Sequence, residues 1–128
     1  MYMNQVIETP YIVMELLESG ILVATYKRRT LVTLEMAREI VQARLEFTGR
    51  EPRPLLLMNQ GVVEIDKSAR KYVSSDDGLA GIKAAAIIVD HLSTAIIMSF
   101  ILSVERPDIP AKMFTRAEKA MRWLETYL

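Results

Sequence analysis

Residues 54–70 read PLLLMNQGVVEIDKSAR and contain the sharpest change of pattern in the chain. Residues 55–58 show no polar and apolar alternation, which is typical of a central strand buried on both faces of a parallel sheet. Residues 59–65 predict a break followed by a loop that packs back. Asp66 is suited to cap a short helix over residues 67–73, because its carboxylate can accept a free backbone amide of the first turn. This junction of strand and helix is the first place to expect a functional site.

Working towards the N-terminus, residues 11–17 and 21–26 are rich in β-branched and aromatic residues and are separated by a short turn that contains glycine. They predict an antiparallel hairpin. Thr33 then predicts the N-cap of a helix that runs to about Phe47, and Gly49 is typical of a left-handed residue at a helix end. One stripe of this helix is predicted to face a core, with residues at helical spacing: Leu34, Ala37, Ile40, Val41, Arg44 and Leu45.

Working towards the C-terminus, the pattern predicts a second central strand, a helix, a short strand and a last helix, at residues 83–89, 92–105, 111–114 and 116–127. Thr115 and Glu118 predict a capping box at the start of the last helix. After the hairpin, strands and helices alternate, which requires parallel pairing with crossover helices against the sheet. We therefore expect residues 1–128 to form one α/β domain, with a mixed, mostly parallel sheet, an N-terminal β-hairpin and helices packed against it.

The composition excludes several classes of function. The 16 basic and 16 acidic residues balance, so no overall charge attracts nucleic acid or an anionic membrane. The absence of cysteine excludes disulfides, thiol catalysis and Cys-ligated metals. The longest apolar stretch, residues 92–104, is too short to span a bilayer, and no signal peptide is evident. We expect a cytoplasmic protein with no catalytic residues, no metal ligands and no cofactor.

The central stretch resembles the STAS domain of bacterial anti-sigma factor antagonists, the SpoIIAA-like proteins. In that family an apolar strand, a loop and the pattern Asp-Ser-Ser-Gly lead into the second helix, and here IDKSAR follows the strand and turn. The end of the chain, MFTRAEKAMRWLETYL, also looks like the C-terminus of small uncharacterised bacterial SpoIIAA-like proteins. The resemblance implies a SpoIIAA-like fold and a non-enzymatic role in protein interaction or bacterial regulation.

The same resemblance assigns expectations to individual residues. Ser68 stands at the serine that a partner kinase phosphorylates in the antagonists, and Asp66 stands at the motif aspartate. Lys67 replaces the other motif serine, and Ala69 replaces the glycine. Asp66, Lys67 and Ser68 are therefore the candidate phosphoswitch or partner-binding residues, with a kinase or an anti-sigma-like protein as the expected partner.

The apolar helix predicted over residues 92–105 suggests a second surface. Apolar side chains cover nearly all its faces, so that the helix must be covered on all sides, either by the rest of the chain or by another subunit. The residues expected to meet a second subunit or a protein partner, with a homodimer as the specific prediction, are Ile96, Ile97, Phe100 and Ile101.

An alternative function remains open at the carboxyl ends of the central strands, where ligands of open α/β sheets usually bind. Asn59, Asp66 and His91 are predicted to lie near this edge. His91 is the only histidine of the chain, and hence its only side chain with an ordinary pKa near neutrality. The alternative is a small-molecule-binding protein or an enzyme with its site there.

Overall fold

The computed structural model describes residues 4–27, 30–58, 62–89 and 102–128, together with residues 95 and 99. Within these residues, positions 102–105 are helical. The other elements, in chain order, are β1 (Gln5–Glu8), β2 (Ile12–Leu16), β3 (Leu22–Tyr26), β4 (Thr30–Val32), α1 (Leu34–Thr48), β5 (Arg53–Met58), β6 (Val62–Ile65), α2 (Lys67–Val73), β7 (Ile82–Ile88), β8 (Ala111–Phe114) and α3 (Ala117–Glu125).

The main sheet has six strands in the order β1-β2-β3-β5-β7-β8. β1, β2 and β3 pair with one another in antiparallel, whereas β3, β5, β7 and β8 pair in parallel. The predicted hairpin is β2 and β3, and the unalternated run at residues 55–58 lies in β5, between two parallel neighbours. The prediction of an α/β fold with a mixed, mostly parallel sheet and an N-terminal hairpin is confirmed.

Both faces of the sheet carry apolar clusters. On the inner face, side chains such as Ile12, Met14 and Leu55 pack towards Ile40 of α1. On the outer face, Leu56 and Ala86 pack against Leu124 of α3, which is completely buried. Because β5 contributes buried residues to both clusters, its pattern could not alternate.

Helix α1 forms for the reasons that the sequence suggests. The Thr33 hydroxyl accepts a hydrogen bond from the amide of Met36, and Gly49 ends the helix with φ of 64°. The predicted core-facing stripe is buried at Ala37, Ile40, Val41, Arg44 and Leu45.

Two local predictions are wrong, and strands β1 and β4 were not predicted. β1 pairs with β2, and residues 62–65 form strand β6 rather than a loop, pairing with β4 in a separate two-stranded sheet. The capping box of Thr115 and Glu118 does not form, because the N-cap of α3 is Arg116, which makes no side-chain capping bond. Thr115 and Arg116 connect β8 to α3, so that Thr115 lies one position before the N-cap.

Candidate functional site

The start of α2 carries the residues that the sequence singles out. Asp66 has extended backbone geometry, and its Oδ1 accepts a hydrogen bond of 2.8 Å from the amide of Ala69. This arrangement is the predicted N-cap. Asp66, Lys67 and Ser68 are all exposed, and we call these three residues the α2 entry surface.

The α2 entry surface is held by backbone and core contacts. The amide of Asp66 donates to the carbonyl of Val32 at 3.0 Å, which ties α2 to strand β4. Ala69 is completely buried and packs in one cluster with Val32 and Ala37. Because Ala69 faces this core, its side chain contributes nothing to the surface. The three exposed side chains therefore stand on a well-packed base.

The strand-edge alternative is only partly covered by the described residues. Asn59 and His91 lie outside them, whereas Asp66 is described and has a carboxylate oxygen committed to its own helix. Among the described residues, no group of three or more histidine, aspartate or glutamate side chains could hold a metal ion. No helix in the same part of the chain has the length and apolar character needed to cross a membrane.

The predicted dimer surface is also not described. Ile96, Ile97, Phe100 and Ile101 all lie outside the described residues. The homodimer thus stays a prediction from the sequence.

The sequence analysis did not recognise a buried polar group under α1. Arg44 is only 6% exposed, and its Nη2 donates to the carbonyls of Gly78 at 3.0 Å and Ala80 at 2.8 Å. Its Nε is buried and has no hydrogen-bond partner among the described residues. The signal was present in the sequence as one charged residue on an otherwise apolar stripe. A buried arginine at that position must find acceptors, and the connection between α2 and β7 provides them.

Tyr26, at the end of β3, is half-buried and lies near Arg44. Burial raises the pKa of Tyr26 to about 12, and the nearby positive charge of Arg44 opposes this rise. Burial also lowers the pKa of Arg44, while Tyr72 and Tyr26 act to raise it. The Tyr26 phenol is therefore neutral at physiological pH and remains a hydrogen-bond donor.

Tyr26 makes stability depend on pH in the alkaline range. Because its pKa is higher in the folded protein than the ordinary value of about 10, the folded state holds more protons above pH 10, and stability is lost as pH rises from 10 towards 12. We expect the free energy of unfolding to fall by about 1 kcal/mol between pH 9 and 11 through this group. Urea unfolding of wild type and Tyr26→Phe across this range measures the effect.

The control for this titration is Tyr11→Phe. The pKa of Tyr11 is also raised, chiefly by the carboxylate of Glu39, but this phenol is not desolvated to the same extent. The alkaline loss should be clearly smaller in Tyr26→Phe than in wild type, and Tyr11→Phe should recover less of it. An identical pH dependence in wild type and Tyr26→Phe would show that Tyr26 does not titrate as described.

Known structures and families can now be compared with this fold. An uncharacterised protein of the DUF3478 family from Shewanella loihica PV-4, described as having a SpoIIAA-like fold, is 13% identical. The alignment covers 95% of this chain and 92% of that one, with a TM-score of 0.56. A protein of unknown function from Arthrobacter sp. FB24 is 21% identical over 87% of this chain and 90% of its own, but its TM-score of 0.35 is too low to indicate a common fold. Among curated proteins, none matches the sequence.

The predicted resemblance in fold is confirmed, since the SpoIIAA-like structure aligns over nearly the whole domain. At this level of identity the alignment establishes the fold alone. Residues 15–128 match the family described as Domain of unknown function, DUF7793. The chain has a SpoIIAA-like fold and belongs to the DUF7793 family.

Proposed function

We propose that the protein is a non-enzymatic, STAS-like regulatory domain of the cytoplasm that binds a protein partner through the α2 entry surface. The observation that supports this proposal is the geometry of Asp66, Lys67 and Ser68. All three are exposed, they are consecutive, and the helix that carries them is fixed to the core by Ala69. A rigid, exposed surface of this kind loses little conformational entropy on binding.

The chemistry of the surface suits control by charge. Lys67 supplies a positive charge, Asp66 a negative one, and Ser68 a neutral hydroxyl between the helix start and solvent. Phosphorylation of Ser68 would add about two negative charges beside Asp66 and Lys67. The net charge of the α2 entry surface would then change from zero to about minus two, which would weaken binding by a partner that accepts Lys67. A kinase and an anti-sigma-like protein are the partners that the family resemblance suggests.

The experiment is affinity capture from a cell extract with quantitative mass spectrometry. The baits are wild type, Ser68→Glu and Lys67→Glu, and the matched control is Arg122→Glu, which changes an exposed residue of α3. We expect at least one protein to be captured by wild type and by the control and to be lost at least about tenfold from both α2 variants, as for a charged contact at an interface. Equal capture by all four baits would contradict the proposal.

Phosphorylation of Ser68 is tested in a separate experiment. Wild type is incubated with extract and ATP, and phosphopeptides are then mapped. Phosphate on Ser68 supports the switch. The switch is rejected if Ser68 remains unmodified while Ser68→Ala binds the captured partner normally. Neither result alters the test of the binding surface, because that test uses unmodified baits.

We also propose a homodimer through Ile96, Ile97, Phe100 and Ile101, on the basis of the apolar sequence pattern. A charge in the centre of an apolar interface is costly to desolvate, so Phe100→Glu should weaken association by at least about tenfold. Sedimentation velocity over a concentration series compares wild type, Phe100→Glu and the exposed-site control Lys119→Glu. A wild-type protein that stays monomeric at high concentration would remove the proposal.

A further inference from the structure

The inner face of the sheet does not pack completely against the helices above it. A cavity of about 180 Å³ lies there, and we call it the inner cavity. Its lining is mostly apolar and comes from the sheets, from α1, from α2 and the segment after it, and from residues 102–109. It includes Met14, Ala24, Ile40, Leu55, Leu79 and Ala85. Apolar cavities of about 150 Å³ bind molecules of the size of benzene. The inner cavity is therefore large enough for an organic ligand of roughly six to nine heavy atoms.

The polar groups in the wall of the cavity are few and specific. Arg44 and Tyr26 both line it. Arg44 uses Nη2 for the two carbonyls, and its Nε is buried without an acceptor in the described part of the chain. The Tyr26 hydroxyl likewise makes no hydrogen bond to any described residue. The inner cavity thus combines an apolar wall with hydrogen-bond donors of two side chains, Arg44 and Tyr26.

The positive charge of Arg44 has no counter-charge among the residues that the structure describes. The ion pairs among the described residues join Lys27 to Glu8 and Arg53 to Glu51 at the surface, and neither involves Arg44. No aspartate or glutamate is among the described residues that line the cavity. A buried cation is costly unless an anion or several acceptors compensate it. The two carbonyls compensate in part, and the missing component is a negative charge.

Arg70 also lines the cavity, but its position is different. Its Nη1 donates to the carbonyl of Ile65 at 3.1 Å, and the residue is half-buried rather than enclosed. It can therefore be compensated by solvent. This contrast identifies Arg44 as the cation that requires an anionic partner inside the fold.

We propose that the inner cavity binds a small monocarboxylate with an apolar body, whose carboxylate contacts the Arg44 guanidinium and the Tyr26 hydroxyl. The apolar body occupies the space beside Ala24, Leu55 and Ala85. A carboxylate satisfies donors and charge together, and such charge-assisted bonds are stronger in a site that excludes water. The proposed ligand site is separate from the exposed α2 entry surface. Ligand binding can therefore be tested independently of the proposed partner binding.

The experiment compares two probes of equal shape on the wild-type protein. 4-Methylpentanoate carries the charge, and 4-methylpentanamide has the same size and branching without it. We expect isothermal titration calorimetry to show that the carboxylate binds at least about tenfold more tightly than the amide, as expected for one charge-assisted contact. Equal affinity for the two probes, or no binding of either at millimolar concentration, would overturn the proposal.

Two variants locate the binding without depending on Arg44, whose replacement disturbs the fold. Ala85→Leu fills the cavity from β7, and it should weaken carboxylate binding at least about tenfold while the melting temperature is kept or raised. Arg122→Met removes an exposed positive charge from α3 and should bind the carboxylate as wild type does. Unchanged affinity in Ala85→Leu would place the probe elsewhere and would refute the assignment.

Discussion

Gly78→Ala is expected to prevent stable folding, or to lower the free energy of unfolding by about 4 kcal/mol or more. A methyl group at this position would overlap the carbonyl oxygen of Tyr72 and would lie 2.8 Å from both the Tyr72 carbonyl carbon and the Val73 Cα. All three atoms belong to the backbone at the end of α2. No side-chain rotation can relieve the overlap, so α2 or the segment after it would have to move.

The matched control is Gly49→Ala. Gly49 has φ of 64°, and a methyl group there would meet no atom within 4 Å. Its replacement costs only the left-handed backbone strain of a side chain, about 1 kcal/mol. Chemical denaturation of both variants separates close packing from backbone strain. Similar stabilities for Gly78→Ala and Gly49→Ala would show that the contact of Gly78 with α2 is not tight.

Arg44→Met should cost about 2–4 kcal/mol in the free energy of unfolding. The change keeps much of the apolar length of the side chain, but it leaves the carbonyls of Gly78 and Ala80 buried without their donor. Removal of a buried charge recovers part of this cost. The net cost in the free energy of unfolding remains large because the two buried carbonyls lose the Nη2 donor that they share.

Arg38→Met is the control for Arg44→Met, since it removes the same charge from an exposed position of the same helix. Arg38 lies over the ring of Tyr72 at 5.9 Å, an exposed contact worth about 0.5–1 kcal/mol. Urea unfolding of the two variants gives the comparison. Equal costs would mean that the hydrogen bonds to the α2–β7 connection add nothing to stability.

The two predictions concern one junction, where α1 is joined to the segment after α2. Arg44 binds the Gly78 carbonyl, and Gly78 packs against the last turn of α2. Both residues line the inner cavity, and Gly78 contacts the helix that carries the α2 entry surface. A loss of this junction should therefore affect both proposed sites, whereas Ala85→Leu should affect only the cavity.

Local chemistry explains which parts of the fold could be predicted. The cap by Asp66 and the left-handed Gly49 depend on residues close in sequence, and both formed as expected. The continuous apolar run in β5 identified a strand with two buried faces. These signals are read directly from neighbouring residues.

Pairing between distant segments explains what could not be predicted. β1 is short and largely exposed, and it exists through pairing with β2. Next to β1, the side chain of Asn4 also donates to Glu15 of β2 at 2.7 Å. β6 becomes a strand because β4 lies beside it. Neither partner can be identified from the local pattern of the other.

The two proposed sites also differ in how far the sequence predicts them. The exposed residues at the start of α2 followed from the motif, whereas the inner cavity arises from the inner face of the sheet, α1 and the segment after α2, packed together. Arg44 was correctly predicted to face the core, but its acceptors lie more than 30 residues away in the sequence. Only the assembled structure shows that its buried Nε has no partner among the described residues.

The most direct test of the proposed function is site-specific photo-crosslinking from the α2 entry surface. A benzophenone amino acid is placed at Ser68 or, as a control, at Arg122 on α3, and both proteins are irradiated in cell extract. We expect a discrete crosslinked partner from position 68 that is absent from position 122. An excess of unlabelled wild type should compete with this crosslink, whereas unlabelled Lys67→Glu should not. The same crosslinked products from both positions, or none from position 68, would contradict the claim that this surface binds a protein partner.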